Sequence, residues 1–492
     1  MLETLSESLD TANFGDKRLT NRFVTIMDRL SKKPNMSIPA AMDNRAEMEA
    51  AYRFFNNPNV SRDEIRAPHV RSTQERMRQT DVALLVQDTT QLDLTRPNQQ
   101  VAGTGPLEFN SRFGVFHHPL IAFDTDGIPL GEVWTKDWTR DTIETELSPD
   151  EKRKLRKETP IEDKESIRWL EGVRAARETA KTCPTTQCIC IGDSEADIYE
   201  LFVEPLDLGD GRKLDLLIRG AQDRSLHDEG NHLLETLRAS PCVSEGTVSI
   251  NSRTPKVKVT ERKRNVQRDA RIATVVIRAM TVTFNPPPRP DRKLPEITLN
   301  VVLVEEPNPP EGQQPIQWIL VTTLPINTVD QIQLIVKYYS IRWQIEVYFK
   351  TLKSGCRIEE RYFERIGPLL NCVAVYAIVA WKILYLCRLS KECPDLDCEV
   401  VFEPNEWKAV YMVVRRKEPP PTPPTLNEMV RMVASLGGYV MRTKTQPGTQ
   451  TLWFGLQRLH DLALAWNAFG PGSPRMQGSQ ANTGNSRRPT HE

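Results

Sequence analysis

The sequence predicts an α/β protein with helical segments at both ends. Three observations lead there. Apolar residues recur at helical spacing near the start (Phe14, Phe23, Ile26, Met27, Leu30), and a helical pattern returns from Asp330 through Leu389. Two short apolar runs, Val82–Val86 and Cys188–Ile191, read as buried strands, and they stop at Asp88 and Asp193. Further strand patterns and one charged helix lie between these runs, and strands, a helix and then a strand mark an α/β core.

The elements follow in order. Residues 1–70 read as helical, with a second apolar cluster at Ala50–Phe55 ended by the breaker Asn56-Asn57-Pro58-Asn59. A local basic cluster (Lys17, Arg18, Arg22, Arg29, Lys32, Lys33) stands out there. Phe113–Phe123 and Ile128–Trp138 read as strands joined by the turn pair Asp126-Gly127, a hairpin signal. Ser148–Thr179 is charged and reads as one helix, with Ile167, Leu170 and Val173 on one face. Residues 215–325 read as mainly β, in stretches such as Val243–Ile250, Ala273–Thr283, Ile297–Val304 and Trp318–Thr323. Two features interrupt them: the basic segment Arg253–Arg271, with a net charge of +6, and the proline loop Asn285–Pro290. That basic segment is either a solvated loop or a phosphate-backbone contact. After the proline run Pro419–Pro424, helices resume at Leu426–Leu436 and Leu452–Ala468, and the Gly/Ser/Asn/Pro-rich tail from Gly470 is expected to be disordered.

Composition narrows the class. At 492 residues the chain should hold several domains. Its 65 Lys+Arg balance 65 Asp+Glu, which excludes a histone-like chain but not nucleic-acid binding, since local patches decide that. Nine cysteines, an odd number in a long chain, do not make a disulfide framework and suggest a reducing compartment. Cys183-x4-Cys188-x-Cys190 reads as core cysteine rather than a zinc site, and His117-His118 beside Pro119 as structural. The acidic start lacks a signal-peptide core, and the longest apolar run, Cys372–Trp381, is about ten residues where a membrane span needs roughly 20. A cytoplasmic protein with no membrane partner is expected.

Three carboxylates stand where chemistry could use them. Asp88 and Asp193 each end a strand, where a rigid scaffold presents them at the sheet edge; ordinary turn-formers and caps occupy such places too. Tyr339, Arg342, Glu346 and Lys353 fall at roughly 0°, −60°, −20° and −40° on a helical wheel. They share one face, opposite a stripe of Tyr338, Ile341, Ile345, Tyr348 and Leu352. That face is either a solvated row of ion pairs or a phosphate-handling surface with one metal ligand. In the second reading, hard cations such as Mg²⁺ use a few carboxylates with phosphate and water. Arg342, Lys353 and Tyr339 then hold the phosphates, and Arg342 and Lys353 do so rather than support the fold.

The spacing Tyr339-x2-Arg342-x3-Glu346-x6-Lys353 resembles the Y(2)R(3)E(6)K signature of bacterial DDE transposases of the IS-four family. The likeness extends to Asp88-Thr89-Thr90 and Asp193-Ser194-Glu195-Ala196-Asp197. It is nearest to the Tn-five-like branch through Ala51–Ser61, Lys164-Glu165-Ser166 with Trp169-Leu170, Trp318–Thr322 and Leu436-Gly437-Gly438-Tyr439. It covers about residues 10–470.

The resemblance implies a ribonuclease-H-like mixed sheet, with Asp88 on its first strand, Asp193 after its fourth and Glu346 on a late helix. It implies a transposon-end-binding helical domain over 1–75 and a catalytic domain over 76–370 with a β-rich insertion at about 215–325. A helical dimerisation domain follows over 371–469, and then the tail, 470–492. Implied catalytic and metal-holding residues are Asp88, Asp193 and Glu346, with two Mg²⁺ ions that Mn²⁺ replaces. Tyr339, Arg342, Lys353, Arg219 and Thr89 are the implied DNA or phosphate contacts, and Trp318 and Trp343 the stacking partners of a flipped base. For Trp318 the alternative is a buried strand start, and for Arg219 a surface arginine. The implied reaction is cut-and-paste transposition through a hairpin intermediate, by a homodimer acting on terminal inverted repeats and target DNA. Two other functions stay open: a metal-dependent endonuclease that cuts without joining, and a DNA-end-binding regulator that has lost catalysis.

Overall fold

The computed structural model describes residues 9, 11–108, 111–141, 148–227, 231–250, 269–441 and 445–471. The longer helices in chain order are α1 (Lys17–Lys32), α2 (Arg45–Phe55), α3 (Arg62–Arg78), α4 (Pro149–Glu158), α5 (Ile167–Lys181), α6 (Leu233–Ala239), α7 (Val329–Ile341), α8 (Gln344–Lys350), α9 (Ile366–Glu392), α10 (Pro404–Arg415), α11 (Leu426–Leu436) and α12 (Thr449–Phe469). The main strands are β1 (Val82–Gln87), β2 (Phe113–Phe123), β3 (Pro129–Trp138), β4 (Gln187–Gly192), β5 (Asp215–Gly220), β6 (Ser244–Ile250), β7 (Arg271–Phe284), β8 (Ile297–Glu305) and β9 (Gln317–Thr322). The chain divides into two units: Met1–Ser72 with Gln91–Val115 and Glu346–Glu492, and Thr73–Thr90 with Phe116–Ile345.

The second unit is built on a mixed sheet in the order β3-β2-β1-β4-β5-β9-β8-β7-β6. β1 and β4 pair in parallel, as do β4 and β5; the other pairs are antiparallel. β1 and β4 are buried on both faces, so their sequences are unbroken apolar runs rather than alternating ones. The β2–β3 turn forms because Asp124 Oδ1 accepts the N–H groups of Asp126 (2.9 Å) and Ile128 (2.8 Å). Gly127 takes the left-handed φ of +80° that this turn requires. The strands of the β-rich stretch extend this same sheet: β5 pairs with β4 at Cys190↔Leu216, β9 with β5 at Leu320↔Arg219, and β8, β7 and β6 continue outward.

The charged helix expected over Ser148–Thr179 is two helices. α4 opens on a Ser148/Glu151 capping box and ends at Thr159, which is extended (φ −66°, ψ 126°) because the following Pro160 disfavours the helical region for its neighbour. α5 then lies on the sheet through Trp169, Leu170, Val173, Ala176 and Ala180. Gly172 permits its close approach, since a Cβ there would stand 2.0 Å from Gln87 Oε1.

The first unit is helical. Phe14 packs on Phe23 and Phe54, with ring centroids 5.2 and 5.4 Å away. Its longest helix, α9, is apolar and long enough to cross a membrane by length and composition, beyond the ten-residue run seen in the sequence, and 89% of the apolar window is buried within the protein. The buried Arg361 fixes it, with its guanidinium over the Tyr376 ring at 4.6 Å and hydrogen bonds to the carbonyls of Met36 and Pro34. α11 starts from a Thr425/Glu428 capping box directly after the proline run.

Most of the basic segment, 251–268, and all but the first two residues of the tail lie outside the described residues. Arg271, the last residue of that segment, opens β7 and pairs with Glu306 at 2.6 Å.

Candidate active site

Asp88 and Asp193 follow β1 and β4, which are neighbours. Their parallel register pairs Val86 with Ile191, so the two aspartates leave the sheet at the same level of the same edge. Adjacent strands lie about 4.8 Å apart. Asp88 Oδ1 accepts the Thr89 N–H (2.7 Å), and Asp193 Oδ1 accepts the Glu195 N–H (2.8 Å) in a short 3₁₀ turn over Ser194–Ala196. Each carboxylate is thereby oriented by its own loop.

Arg342 Nη1 donates to Asp88 Oδ2 at 2.9 Å, and both side chains are largely buried. Of the two readings of this segment, a solvated row of ion pairs is not what forms, and the four residues do not lie along one continuous helix. α7 ends at Ile341, and the turns Tyr339–Arg342 and Arg342–Ile345 are closed by three-residue hydrogen bonds, so the wheel angle of a continuous α-helix does not carry through. Thr351–Gly355 then widens into a π-turn. Tyr339, placed on the polar face by the wheel, is 4% exposed, while Tyr338 is half-buried.

Tyr339 gathers the surrounding groups. Its ring meets Trp318 edge-on at 5.2 Å and lies under the Arg342 guanidinium at 5.9 Å. Its hydroxyl is buried beside Arg219 but without a well-formed hydrogen bond. Burial pushes that hydroxyl above the usual tyrosine range; the Arg342 and Arg219 cations oppose the shift and Asp193 adds to it. Arg219 itself donates to the Gln317 carbonyl at 3.3 Å. Trp318 is half-buried, at the start of β9. The second unit thus brings Asp88, Arg342, Tyr339, Trp318, Arg219 and Asp193 into one neighbourhood.

The other expected residues have these places. Trp343 is half-buried in the turn before α8, and Glu346 is half-buried on α8. Lys353 sits in the π-turn of the first unit, with Nζ 3.8 Å from Glu359 Oε1. The Thr89 hydroxyl, expected at DNA, bonds inward to His118 Nδ1 and to Arg168 Nε, both at 2.8 Å.

That inward bond opens a network the sequence reading did not single out. Gln87 donates its amide to the Trp169 carbonyl and to Cys190 Sγ, each at 3.4 Å. Its carbonyl therefore faces His118 Nε2 (3.1 Å), which donates to it, and Nδ1 is left to accept from Thr89. Burial above all, then the cations of Arg168 and others, holds His118 well below the usual histidine range. Arg168 also donates to Glu195 Oε2 (2.6 Å) and to the Glu165 carbonyl (3.0 Å). Residue spacing gives no signal for such a network; Arg168 is an arginine beside the apolar stripe of a charged helix.

The donors suit a hard divalent cation. Asp88 and Asp193 offer carboxylates from the ends of neighbouring strands, and a guanidinium already sits on Asp88, as expected where negative charge needs a counter-ion. Among the described residues no three His, Cys, Asp or Glu side chains stand ready as a complete cage. Cys188 and Cys190 are buried in β4, their thiols pushed up to about 12 by burial.

Three family models match the chain: Transposase DNA-binding over residues 3–60, Transposase DDE domain over 173–366, and Transposase Tn5 dimerisation domain over 378–465. Among solved structures, one likeness is the piggyBac transposase synaptic complex with hairpin DNA, studied by cryo-EM. It is 13% identical, with a TM-score of 0.34, over 96% of this chain and 77% of that one.

Proposed function

We propose a function for this chain from the premise that it belongs to the Tn5-like DDE transposases, the family to which the three matching models point. The chain is a DNA transposase. The finer reading is cut-and-paste transposition: hydrolytic nicking at the element's terminal inverted repeats, attack by the freed 3′-OH to close a hairpin, hairpin opening, and strand transfer into target DNA. The observation that carries it is the side-by-side placement of Asp88 and Asp193 after two parallel strands, with Arg342 and Tyr339 of the signature gathered on them.

In this reading Asp88, Asp193 and Glu346 hold two Mg²⁺ ions, with Mn²⁺ as a substitute; Glu346 is assigned from the signature spacing. Bound ions supply Lewis-acid activation of water and neutralise charge on the leaving oxygen. Arg342 and Lys353 bind and orient the scissile phosphates. Tyr339, with its buried and poorly satisfied hydroxyl, and Arg219 beside it complete the phosphate-binding wall. Trp318 and Trp343 offer aromatic faces to a base that leaves the stack when a tight hairpin forms. The N-terminal helices bind the transposon end, α10–α12 join two protomers, and the protein works in the cytoplasm at the nucleoid.

The test uses the full chain with Mg²⁺, a linear DNA ending in the element's inverted repeats, and a plasmid target. Nicked strands, hairpin ends and joined products in sequence are expected. Cut ends without joined products favour the nuclease alternative, and specific end binding without cutting favours the regulator.

A further inference from the structure

We propose that Arg168, with Thr89 and His118, is a positioning residue for the reaction, tying together the two loops that carry Asp88 and Asp193. This rests on the reading that those two carboxylates hold the ions. Asp88 is bracketed. Gln87, the last residue of β1, and Thr89, just beyond it, flank Asp88, and one buried imidazole binds both, at 3.1 and 2.8 Å. The strand end cannot turn about its axis without breaking both bonds. Asp193 is held through its turn, because its carboxylate caps the Glu195 N–H and the Glu195 carboxylate is bound by Arg168.

Arg168 joins the two sides. Its Nε reaches the Thr89 hydroxyl at 2.8 Å while its Nη2 reaches Glu195 at 2.6 Å. Only a planar fork with donors aimed in separate directions does this; an ammonium on a flexible stem presents a single point of charge. The chain of donors is consistent throughout, from Arg168 to Thr89 to His118, and from His118 to Gln87. Through it the loops after β1 and β4 are cross-braced outside the sheet. The Thr89 hydroxyl, bonded inward, serves this brace rather than DNA.

The test measures Mn²⁺ binding to the full-length protein by paramagnetic resonance of the free ion, alongside end-DNA affinity and cleavage. Arg168→Ala and Thr89→Val are expected to weaken Mn²⁺ binding about 10-fold and slow cleavage by about 10–100-fold, the usual range for partners that orient metal ligands. End-DNA affinity should stay within about 2-fold, since backbone phosphate contacts set it. Thr89→Ser should recover most of the loss and Arg168→Lys little. Folded Arg168→Ala and Thr89→Val proteins that bind Mn²⁺ and cut like the parent overturn the proposal. Should Arg168→Ala lose cooperative melting, Thr89→Val decides, since it deletes one hydroxyl at constant volume. Asp88→Asn is the control. If it leaves Mn²⁺ binding intact, the ion-holding reading itself has failed; if it abolishes binding while Thr89→Val changes nothing, the positioning role alone has failed.

Discussion

Arg342 holds Asp88 at 2.9 Å in an ion pair whose side chains are 11% and 15% exposed. Such an arginine is a fold element, which replaces the expectation that it leaves stability untouched. Arg342→Ala should cost about 1–3 kcal/mol, because Asp88 loses a partner where water is scarce. Mn²⁺ should then raise the melting temperature of the variant more than that of the parent protein, since the Arg342 guanidinium no longer competes for the carboxylate. Calorimetry with and without the ion measures both. Cleavage should fall 10-fold or more, and Arg342→Lys should recover part, keeping charge but losing the fork. Equal ion-induced shifts in parent and variant would show that the pair does not face the metal.

Asp88→Ala, Asp193→Ala and Glu346→Ala should each abolish cleavage and leave binding to transposon ends largely intact. Ligands act on the chemical step, whereas affinity comes mostly from contacts to phosphates. Gel-shift and cleavage assays on the same preparations separate the two, and parental rates in any variant would remove that residue from the site.

The strand ends were legible in the sequence because burial on both faces writes an unbroken apolar run, and the residue after it is easy to locate: Val82–Val86 before Asp88, Cys188–Ile191 before Asp193. The hairpin was legible from Asp126-Gly127. The helix behind Tyr339 was not, since a wheel assumes one pitch, and the chain tightens at Arg342 and widens at Thr351. Nor was the Arg168 brace, which joins residues 79 and 27 positions apart through side chains that no local pattern marks. The break at Pro160 was readable in principle, but the charged, helix-favouring residues on both sides masked it.

Tyr339→Phe should split stability from function. The hydroxyl is buried without a well-formed hydrogen bond, so deleting it should leave stability unchanged or raise it by up to about 1 kcal/mol. If that hydroxyl meets a phosphate of bound DNA, cleavage should slow about 10-fold. A variant that is markedly less stable yet cuts normally would make Tyr339 an ordinary core residue.

Thiol chemistry offers a check on β4. Cys242 is exposed, while Cys188, Cys190, Cys356 and Cys372 are buried with thiols pushed up to about 12. At pH 8 the raised groups stay protonated and unreactive, so a thiol reagent should label Cys242 in the native protein and reach those four on unfolding. Rapid native labelling of Cys188 or Cys190, read by peptide mass, would contradict the placement of β4.

The pairing of β1 with β4 also sets a timetable. Val82 meets Gln187 across more than a hundred residues of chain. On a ribosome adding about 5–20 residues per second, β1 waits on the order of 5–20 seconds for that neighbour. The hairpin covers its other edge sooner, through Val86↔Ile121. Until β4 emerges, Asp88 has no second carboxylate beside it. A nascent or prematurely terminated chain ending before residue 193 therefore carries Asp88 alone of the three carboxylates proposed for the cutting centre. The helices of residues 1–72 belong to one unit with Glu346–Glu492, so such a chain also lacks the partners on which they pack, and under the proposed function only completed chains would move the element.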